Sequence, residues 1–423
     1  PEGLAAKLPA LKQLSEATSQ DLFVSEALKR LGPLVQQAEL LAAQYDAVVA
    51  NPPYMGSKGM NPQVKDLATD YFPNSKADLF AMFIERAIAQ AAGSGRVGIV
   101  APYVWMFLSS YESFRDSIAG QTSISSLIQL EYNAFEPACI PVATFSLIRC
   151  PVNNLVGTYV KLSDFKGHQN QAPRTLEAIR DPKCGWLFKV TPEEFTKIPG
   201  HPIIYWLPRP CYDLFGSETS IGDEASVSEG IKTGDNQRFL RLWHEVNYQS
   251  TSLGAAGPSH GDKWVGYHKG GTYRRWYGNY DFVINWMNDG YEIRSSPNSG
   301  LQGKSNYFSS GITWAKLSST YFGVRALPAG VLFDSGSPGA FPNSRSNDES
   351  TRLLGFLSSN LATFLLKAVN PSLNFQVGNV ASLPWLRPGR GAPESATKCI
   401  ALTHVDWDAY ERSWDFQSLP LLT

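Results

Sequence analysis

The chain has 423 residues, 43% hydrophobic and 18% charged, with a formal net charge of −1: enough for two or three domains with their own cores, and too ordinary a balance for a disordered or fibrous chain. No global field draws it to nucleic acid or anionic lipid, so a charged partner must meet a local patch. Five cysteines, Cys139, Cys150, Cys184, Cys211 and Cys399, are odd in number and lack any Cys-x-x-Cys pair; this argues against zinc or a redox couple and fits a reducing cytoplasm, while the absence of a signal peptide or of an apolar run near the ~18 residues of a span argues against a membrane.

Residues 1–44 carry apolar residues at helical spacing and predict one or two amphipathic helices. "YDAVVA" (45–50) is too short and too β-branched for a helix and predicts a buried strand of a parallel sheet. "KADLFAMFIERAIAQAAGSG" (76–95) predicts a helix with Gly93-Ser94-Gly95 as its cap, "RVGIVAP" (96–102) a strand, "WMFLSSYESFRDSIAG" (105–120) a helix, and "SISSLIQLE" (123–131) and "VATFSLIRC" (142–150) two strands that pair antiparallel at one edge. Strand-helix alternation implies an α/β fold with a mainly parallel sheet. Residues 151–210, punctuated by proline, predict a connector or insertion. Residues 211–423, dense in Gly, Ser, Asn and aromatics, predict a second, mixed α+β domain with strands in "YDFVINW" (280–286), "GITWAKL" (311–317) and "GVLFDS" (330–335) and one long helix at 350–370.

The apolar run 45–50 ends on Asn51-Pro52-Pro53-Tyr54. In open α/β sheets the carboxyl edge of the strands is where ligands bind, and two prolines make that edge stiff and extended. Exocyclic amino groups conjugated to a ring are poor nucleophiles because the nitrogen lone pair is delocalised. Two acceptors set against the two N–H bonds pull the nitrogen toward a tetrahedral shape and free that pair. The Asn51 side-chain oxygen and the Pro52 carbonyl are such a pair, and Tyr54 offers a flat face for stacking a planar target rotated out of a duplex. No strong base is needed at the outset, which favours methyl transfer from a sulfonium donor. The alternative is a strand-ending turn, since Asn and Pro are common turn formers.

The stretches "VVANPPYMGSKGM", "YFPNSKADLFAMFIERAI", "GRVGIVAPYVWMFLSSYESFR" and "LIQLEYNAFEPACIPVATFSLIRC" resemble the S-adenosylmethionine-dependent amino methyltransferases, and more closely the adenine methyltransferases of BREX phage-defence systems, the PglX family. The resemblance runs on through 211–423. It implies a Rossmann-like methyltransferase domain over 1–150, then a target-recognition domain, making N6-methyladenine in double-stranded DNA. It places Asn51, Pro52, Pro53 and Tyr54 on the flipped adenine, Phe135 over the base's other face, and Pro53, Asp78 and Phe80 beside S-adenosylmethionine. Phe135 is equally readable as a core aromatic, and Asp78 as a carboxylate complementing the dipole of its own helix. Methyltransferases of this kind carry a glycine-rich cofactor loop upstream of this motif. The 50 residues before Asn51 hold Gly3 and Gly32 but no such loop, so the expectation is the C-terminal half of the sheet, a fragment beginning at Pro1 that is inactive alone.

In the second domain, "KWVGYHKGGTYRRWY" (263–277) holds Lys263, Lys269, Arg274 and Arg275 with no acid, interleaved with aromatics including Trp276 and Tyr277; cations at this density suit phosphates, and arginine also reads guanine edges. The alternative is a solvated hairpin with its aromatics packed inward. "GIKTGDNQRFL" (230–240), containing Asn236, and "NPSLNFQVGNVASLPW" (370–385) resemble the opening and close of target-recognition domains in restriction-modification proteins. Lys316 and Arg325 are weaker DNA candidates, expected to be solvated at the surface. The six histidines show no metal spacing, so no metal is expected. Two other functions fit the same motif: a DNA- or partner-binding module without catalysis, and an amino methyltransferase acting on a protein glutamine or an RNA base. Other BREX proteins and a phage-encoded DNA mimic are further partners the resemblance allows.

Overall fold

The computed structural model describes residues 4–18, 21–136, 140–254, 257–259, 261–318, 321–370, 374–389, 391–420 and 422; Cys139 and part of the 370–385 segment lie outside them. The chain divides into two compact units, Pro1–Trp206 and Leu207–Thr423.

The first unit opens with helices α1 (Leu4–Ser15) and α2 (Leu22–Ala42), the second capped by Asp21. Strand β1 (Tyr45–Ala50) follows, then α3 (Pro62–Tyr71), α4 (Leu79–Gln90), β2 (Ala91–Pro102), α5 (Glu112–Gln121), β3 (Ser123–Gln129) and β4 (Val142–Ile148). Residues 151–206, expected as a connector, instead continue this unit with β5 (Gly157–Lys161), α6 (His168–Arg180), β6 (Leu187–Val190) and the short α7 (Pro192–Thr196). One six-stranded sheet results, in the order β1-β2-β4-β3-β5-β6. Strands β1, β2, β3 and β5 share one direction, whereas β4 runs against both neighbours. The expectation that the last two strands pair at an edge is therefore corrected: β4 pairs antiparallel with β3, but it is wedged between β2 and β3, so the sheet is mixed. Strand β1 is an edge strand, not a buried one, and Val49 is 82% exposed.

Helix α4 lays Phe80, Ala81, Ile84, Ala87 and Ile88, at the spacing of one helical face, into the core with Val97, Ile99, Phe145 and Leu147. It ends at Gln90 with no glycine cap. Gly93-Ser94-Gly95 lies within β2, where the β1–β2 register jumps between Tyr45↔Ala91 and Ala47↔Arg96, and a Cβ on Gly95 would fall 2.9 Å from the Tyr45 carbonyl. The glycines serve a bulge rather than a helix stop. The helix expected over 105–120 is likewise shorter: two 3-10 turns, Tyr103–Met106 and Ser109–Tyr111, precede α5. Arg115 of α5, buried, ties these turns down by donating to the carbonyls of Trp105 (2.9 Å), Leu108 (2.8 Å) and Gly200 (3.0 Å).

The second unit contains α8 (Arg209–Ser217), α9 (Ile221–Glu224), β7 (Ala225–Ser228), β8 (Ile231–Lys232), α10 (Asn236–Phe239), β9 (Leu240–Leu242), β10 (Thr251–Ser252), β11 (Trp264–His268), β12 (Phe282–Asn285), α11 (Met287–Arg294) and β13 (Gly300–Leu301). It continues with β14 (Gly311–Trp314), β15 (Val324–Leu327), β16 (Leu332–Phe333), β17 (Gly339–Pro342), α12 (Asn347–Leu357), α13 (Asn360–Val369), α14 (Val377–Ala381) and α15 (Gly391–Asp408). One sheet has the order β10-β11-β12-β9, with β16 beside β11, and a second has the order β15-β14-β17-β7. The expected long helix over 350–370 is two helices, α12 and α13, bent by 69° because Ser359 caps the second through the Ala362 N–H (3.1 Å). Among the described residues no single helix is long and apolar enough to cross a membrane.

Arg115→Met removes the side-chain donor from the buried Trp105 carbonyl and from the part-buried carbonyls of Leu108 and Gly200, so the urea unfolding midpoint of the first unit should fall, by a stability loss of roughly 2 kcal/mol. An unchanged denaturation curve would contradict this role.

Candidate active site

Proline has no N–H to donate, so the β1–β2 ladder ends at Ala50↔Ile99, and Asn51-Pro52-Pro53 leaves the sheet at the carboxyl end of β1. The Tyr54 ring meets the buried Phe80 edge-on, with centroids 6.4 Å apart. Its hydroxyl lies 3.3 Å from Asn51 Oδ1 and 3.4 Å from the Val100 carbonyl. Both contacts are long and therefore weak, so the Asn51 oxygen keeps accepting capacity for a stronger donor. Burial raises the Tyr54 phenol above its ordinary pKa, which keeps it a neutral donor.

Just beyond, the backbone is stapled to the start of α4. The Met55 N–H donates to Asp78 Oδ1 (3.1 Å), the Met55 carbonyl accepts from Leu79 N–H (3.0 Å), and Ser57 N–H donates to the Ala77 carbonyl (3.0 Å). Asp78 also caps α4 through Phe80 N–H (3.3 Å). Asp78 thus stands at the N-terminus of α4, and it anchors the motif as well.

Asn51, Pro52, Pro53, Tyr54 and Phe135 line one open cleft of about 510 Å³ with Val100, Ile140 and Val142. That size lies inside the range of small-molecule sites, roughly 300–1,000 Å³. Among the described residues none that lines the cleft is charged; their polar side-chain groups are the Asn51 amide and the Tyr54 hydroxyl. The Pro52 carbonyl accepts no hydrogen bond among the described residues. Phe135 is 49% exposed, which corrects its alternative as a core aromatic. Its loop is held by the buried Glu131, whose Oε2 accepts from the N–H groups of Asn133 (2.8 Å) and Gly167 (3.2 Å), and whose own N–H donates to Gln171 Oε1 (3.1 Å). Phe80, expected beside a cofactor, is 1% exposed and packs between Tyr54 and Tyr111; it backs the tyrosine and offers no face to a ligand.

The basic run of the second unit is more compensated than its sequence suggests. Lys269 lies 3.7 Å from Asp334, and Arg274 pairs with Asp406 (3.2 Å) and covers the Trp407 ring. Lys263 lies over Trp264, and Arg275 has a buried Nε without a partner among the described residues. Trp276 is half-buried, with a positive φ of 73° and backbone bonds to Val324 and Ala326. Tyr277 is half-buried against Tyr280 and His404. Asn236, exposed at the start of α10, accepts from the Thr233 hydroxyl (2.6 Å). Lys316, half-buried, is ion-paired to Glu229. Arg325, expected at the surface, is fully buried. His404, on the sequence reading a surface or packing residue rather than a ligand, brings its ligand-type atom within 4.8 Å of those of Asp408 and Asp415. Its Nε2 lies 3.3 Å from Asp408 Oδ2, one helix turn on.

Residues 10–135, which include the cleft's Asn-Pro-Pro-Tyr and Phe135, match the family described as Eco57I restriction-modification methylase. Over nearly its whole length the chain is then homologous to two curated proteins: it is 34% identical over 406 residues to the adenine-specific methyltransferase PglX of Lacticaseibacillus casei (strain Zhang), and 35% identical over 412 residues to the adenine-specific methyltransferase BrxX of Escherichia coli O9:H4 (strain HS). These alignments take in 92% and 96% of the chain but 33% of each relative, so the chain spans about a third of their length. The fold is similar to those of the Type IIL restriction-modification enzyme MmeI (TM-score 0.52, 13% identity, 88% of this chain and 50% of that one) and the Type ISP enzyme LlaGI (TM-score 0.52, 12% identity, 93% and 37%). The chain therefore has a mixed α/β fold shared with these restriction-modification enzymes.

Asp78→Ala removes a helix cap and the acceptor for Met55 N–H, and should lower stability by about 1 kcal/mol in thermal unfolding. Asp78→Asn, which keeps an acceptor oxygen, should restore most of it; equal losses in both variants would show that the cap is not what matters.

Proposed function

We propose that this chain is the adenine-binding and DNA-reading part of a site-specific DNA adenine N6-methyltransferase of a BREX-type phage-defence system. The observation that carries the reading is that all five residues assigned to the base, Asn51, Pro52, Pro53, Tyr54 and Phe135, line one uncharged cleft at the carboxyl edge of β1. The homology to adenine-specific methyltransferases supports it. In this reading the first unit's sheet is the C-terminal half of a Rossmann-like methyltransferase sheet, and the second unit is a target-recognition domain for double-stranded DNA.

A neutral purine suits a neutral cleft. Asn51 Oδ1 and the Pro52 carbonyl accept the two amino hydrogens of the flipped adenine, drawing the nitrogen out of conjugation. Tyr54, braced by Phe80, stacks on the ring, and Phe135 closes over it. S-adenosylmethionine is the donor this class of enzyme implies, but the residues assigned to it do not form a cradle. Phe80 is buried, Asp78 is half-exposed with its Oδ1 given to backbone N–H groups, and Pro53 is exposed. The chemistry assigned to this chain is therefore confined to the acceptor side.

In the full-length protein, Asn51→Ala should abolish adenine methylation, followed by incorporation of labelled methyl groups, while leaving DNA affinity nearly unchanged. Methylation that survives this substitution removes Asn51 from the mechanism. Phe135→Ala should weaken binding of DNA carrying an unpaired target adenine by about 1–3 kcal/mol, the usual worth of a base–aromatic stack. Lys263→Gln should reduce the salt dependence of duplex binding by about one ion, and an unchanged slope would take Lys263 off the phosphate backbone.

A further inference from the structure

The first unit holds a second cavity, of about 340 Å³, within the usual size of small-molecule sites, roughly 300–1,000 Å³. Ile124 at the start of β3, Ala119 of α5, Val152 beyond β4 and Phe195 of α7 give it apolar walls. Strands β1 and β3 share one direction, so the start of β3 lies at the amino edge of the sheet, opposite the edge where Asn51 stands. The two cavities have no lining residue in common.

The accessible polar groups of this cavity are mainly acceptors. Asp116 and Glu193 line it as exposed carboxylates. Hydrogen bonds from its own backbone N–H and from Thr191 hold the Glu193 carboxyl below its ordinary pKa, so it is charged at neutral pH. His201 has a φ of 48°, in the left-handed region, and its Nδ1 lies 2.7 Å from Asp116 Oδ1. A carboxylate only accepts, so Nδ1 carries the proton and Nε2 of the neutral ring keeps its lone pair, with no hydrogen-bond partner among the described residues. The His201 and Asp116 side chains are 42% and 51% exposed, so neither is closed off. The Thr196 hydroxyl donates to the Glu193 carbonyl (2.8 Å), which leaves its oxygen as a further acceptor. Arg115 also lines the cavity, but it is 4% exposed and gives its N–H groups to the carbonyls of Trp105, Leu108 and Gly200. Its charge balances one of the two carboxylates, and it presents nothing to an anion.

We propose that this cavity binds a small organic cation, a primary ammonium on an apolar body: Asp116 and His201 accept from the ammonium, Glu193 adds to the negative field, and the body lies against Ile124, Val152 and Phe195. An ammonium brings three donors and a positive charge to a lining rich in acceptors. The site goes beyond the DNA-methyltransferase reading and does not depend on it, since it lies at the other edge of the sheet.

The test is calorimetric titration of the full chain with phenethylammonium chloride, 2-phenylethanol and sodium phenylacetate, three bodies of similar size that differ in charge. The ammonium is expected to bind saturably, the alcohol more weakly by at least about tenfold, as loss of a charge-assisted contact requires, and the acid not at all. Asp116→Asn combined with Glu193→Gln should bring the ammonium down to the level of the alcohol; both positions are exposed, so the fold is retained. Ala119→Trp, also at an exposed position, fills the cavity and should abolish binding of both, and it serves alone if the double variant does not fold. No saturable binding of the ammonium, equal affinity for the three compounds, or a preference for the ammonium that survives in a folded variant would overturn the proposal. DNA methylation plays no part in the readout, so the two readings fall separately.

Discussion

Two adjacent prolines have no N–H to give, and the geometry of the first unit follows from that lack. The β1–β2 ladder must stop at Ala50, the chain must leave the sheet extended, and the next side chains must stand at its carboxyl edge. There the Pro52 carbonyl has no hydrogen-bond partner among the described residues, and the Asn51 oxygen has only the long contact from the Tyr54 hydroxyl at 3.3 Å. A site whose oxygens were strongly engaged would have to break those bonds before using them; here only that weak one is given up.

Stiffness alone does not aim a side chain, and the surrounding elements do the aiming. Asp78 serves two ends at once, capping α4 and anchoring Met55, so the position of Tyr54 depends on the position of the helix. On the other wall, the Phe135 loop depends on Glu131, Gly167 and Gln171, the last two from the stretch beyond residue 150. The segment that looked like a linker is thus part of what holds the cleft open.

Much of this was legible in the chain. Short β-branched apolar runs locate β1 to β4, although β1 proved to be an exposed edge strand, and Asn51-Pro52-Pro53-Tyr54 is legible because proline chemistry is local. What failed was whatever depends on distant partners. The wedging of β4 between β2 and β3 is a tertiary choice that neither strand's sequence records. Prolines between 182 and 210 hid the two strands of residues 151–206, and Ser359 reads as a tolerable helix residue until its cap is seen. Arg325 was misjudged because a lone arginine on a strand is ordinarily solvated, and nothing nearby in sequence marks its burial. Phe80 makes a similar point: a position matched by motif does not reveal its burial, and the ring backs Tyr54.

The wedged strand also bears on how the first unit assembles. β2 and β3 have no direct hydrogen bonds to each other; each ladder passes through β4, whose partners on β2 begin some fifty residues earlier in the chain. Loop closure over that distance must be met before the central ladder repays it, which makes the sheet's formation non-local and slow. During synthesis β1 and β2 can pair as soon as residue 102 emerges, but the open side of β2 stays unpaired until residues 142–148 arrive. The nascent chain thus carries an unfilled slot at its centre, and a chaperone that shields apolar strands has its longest task there.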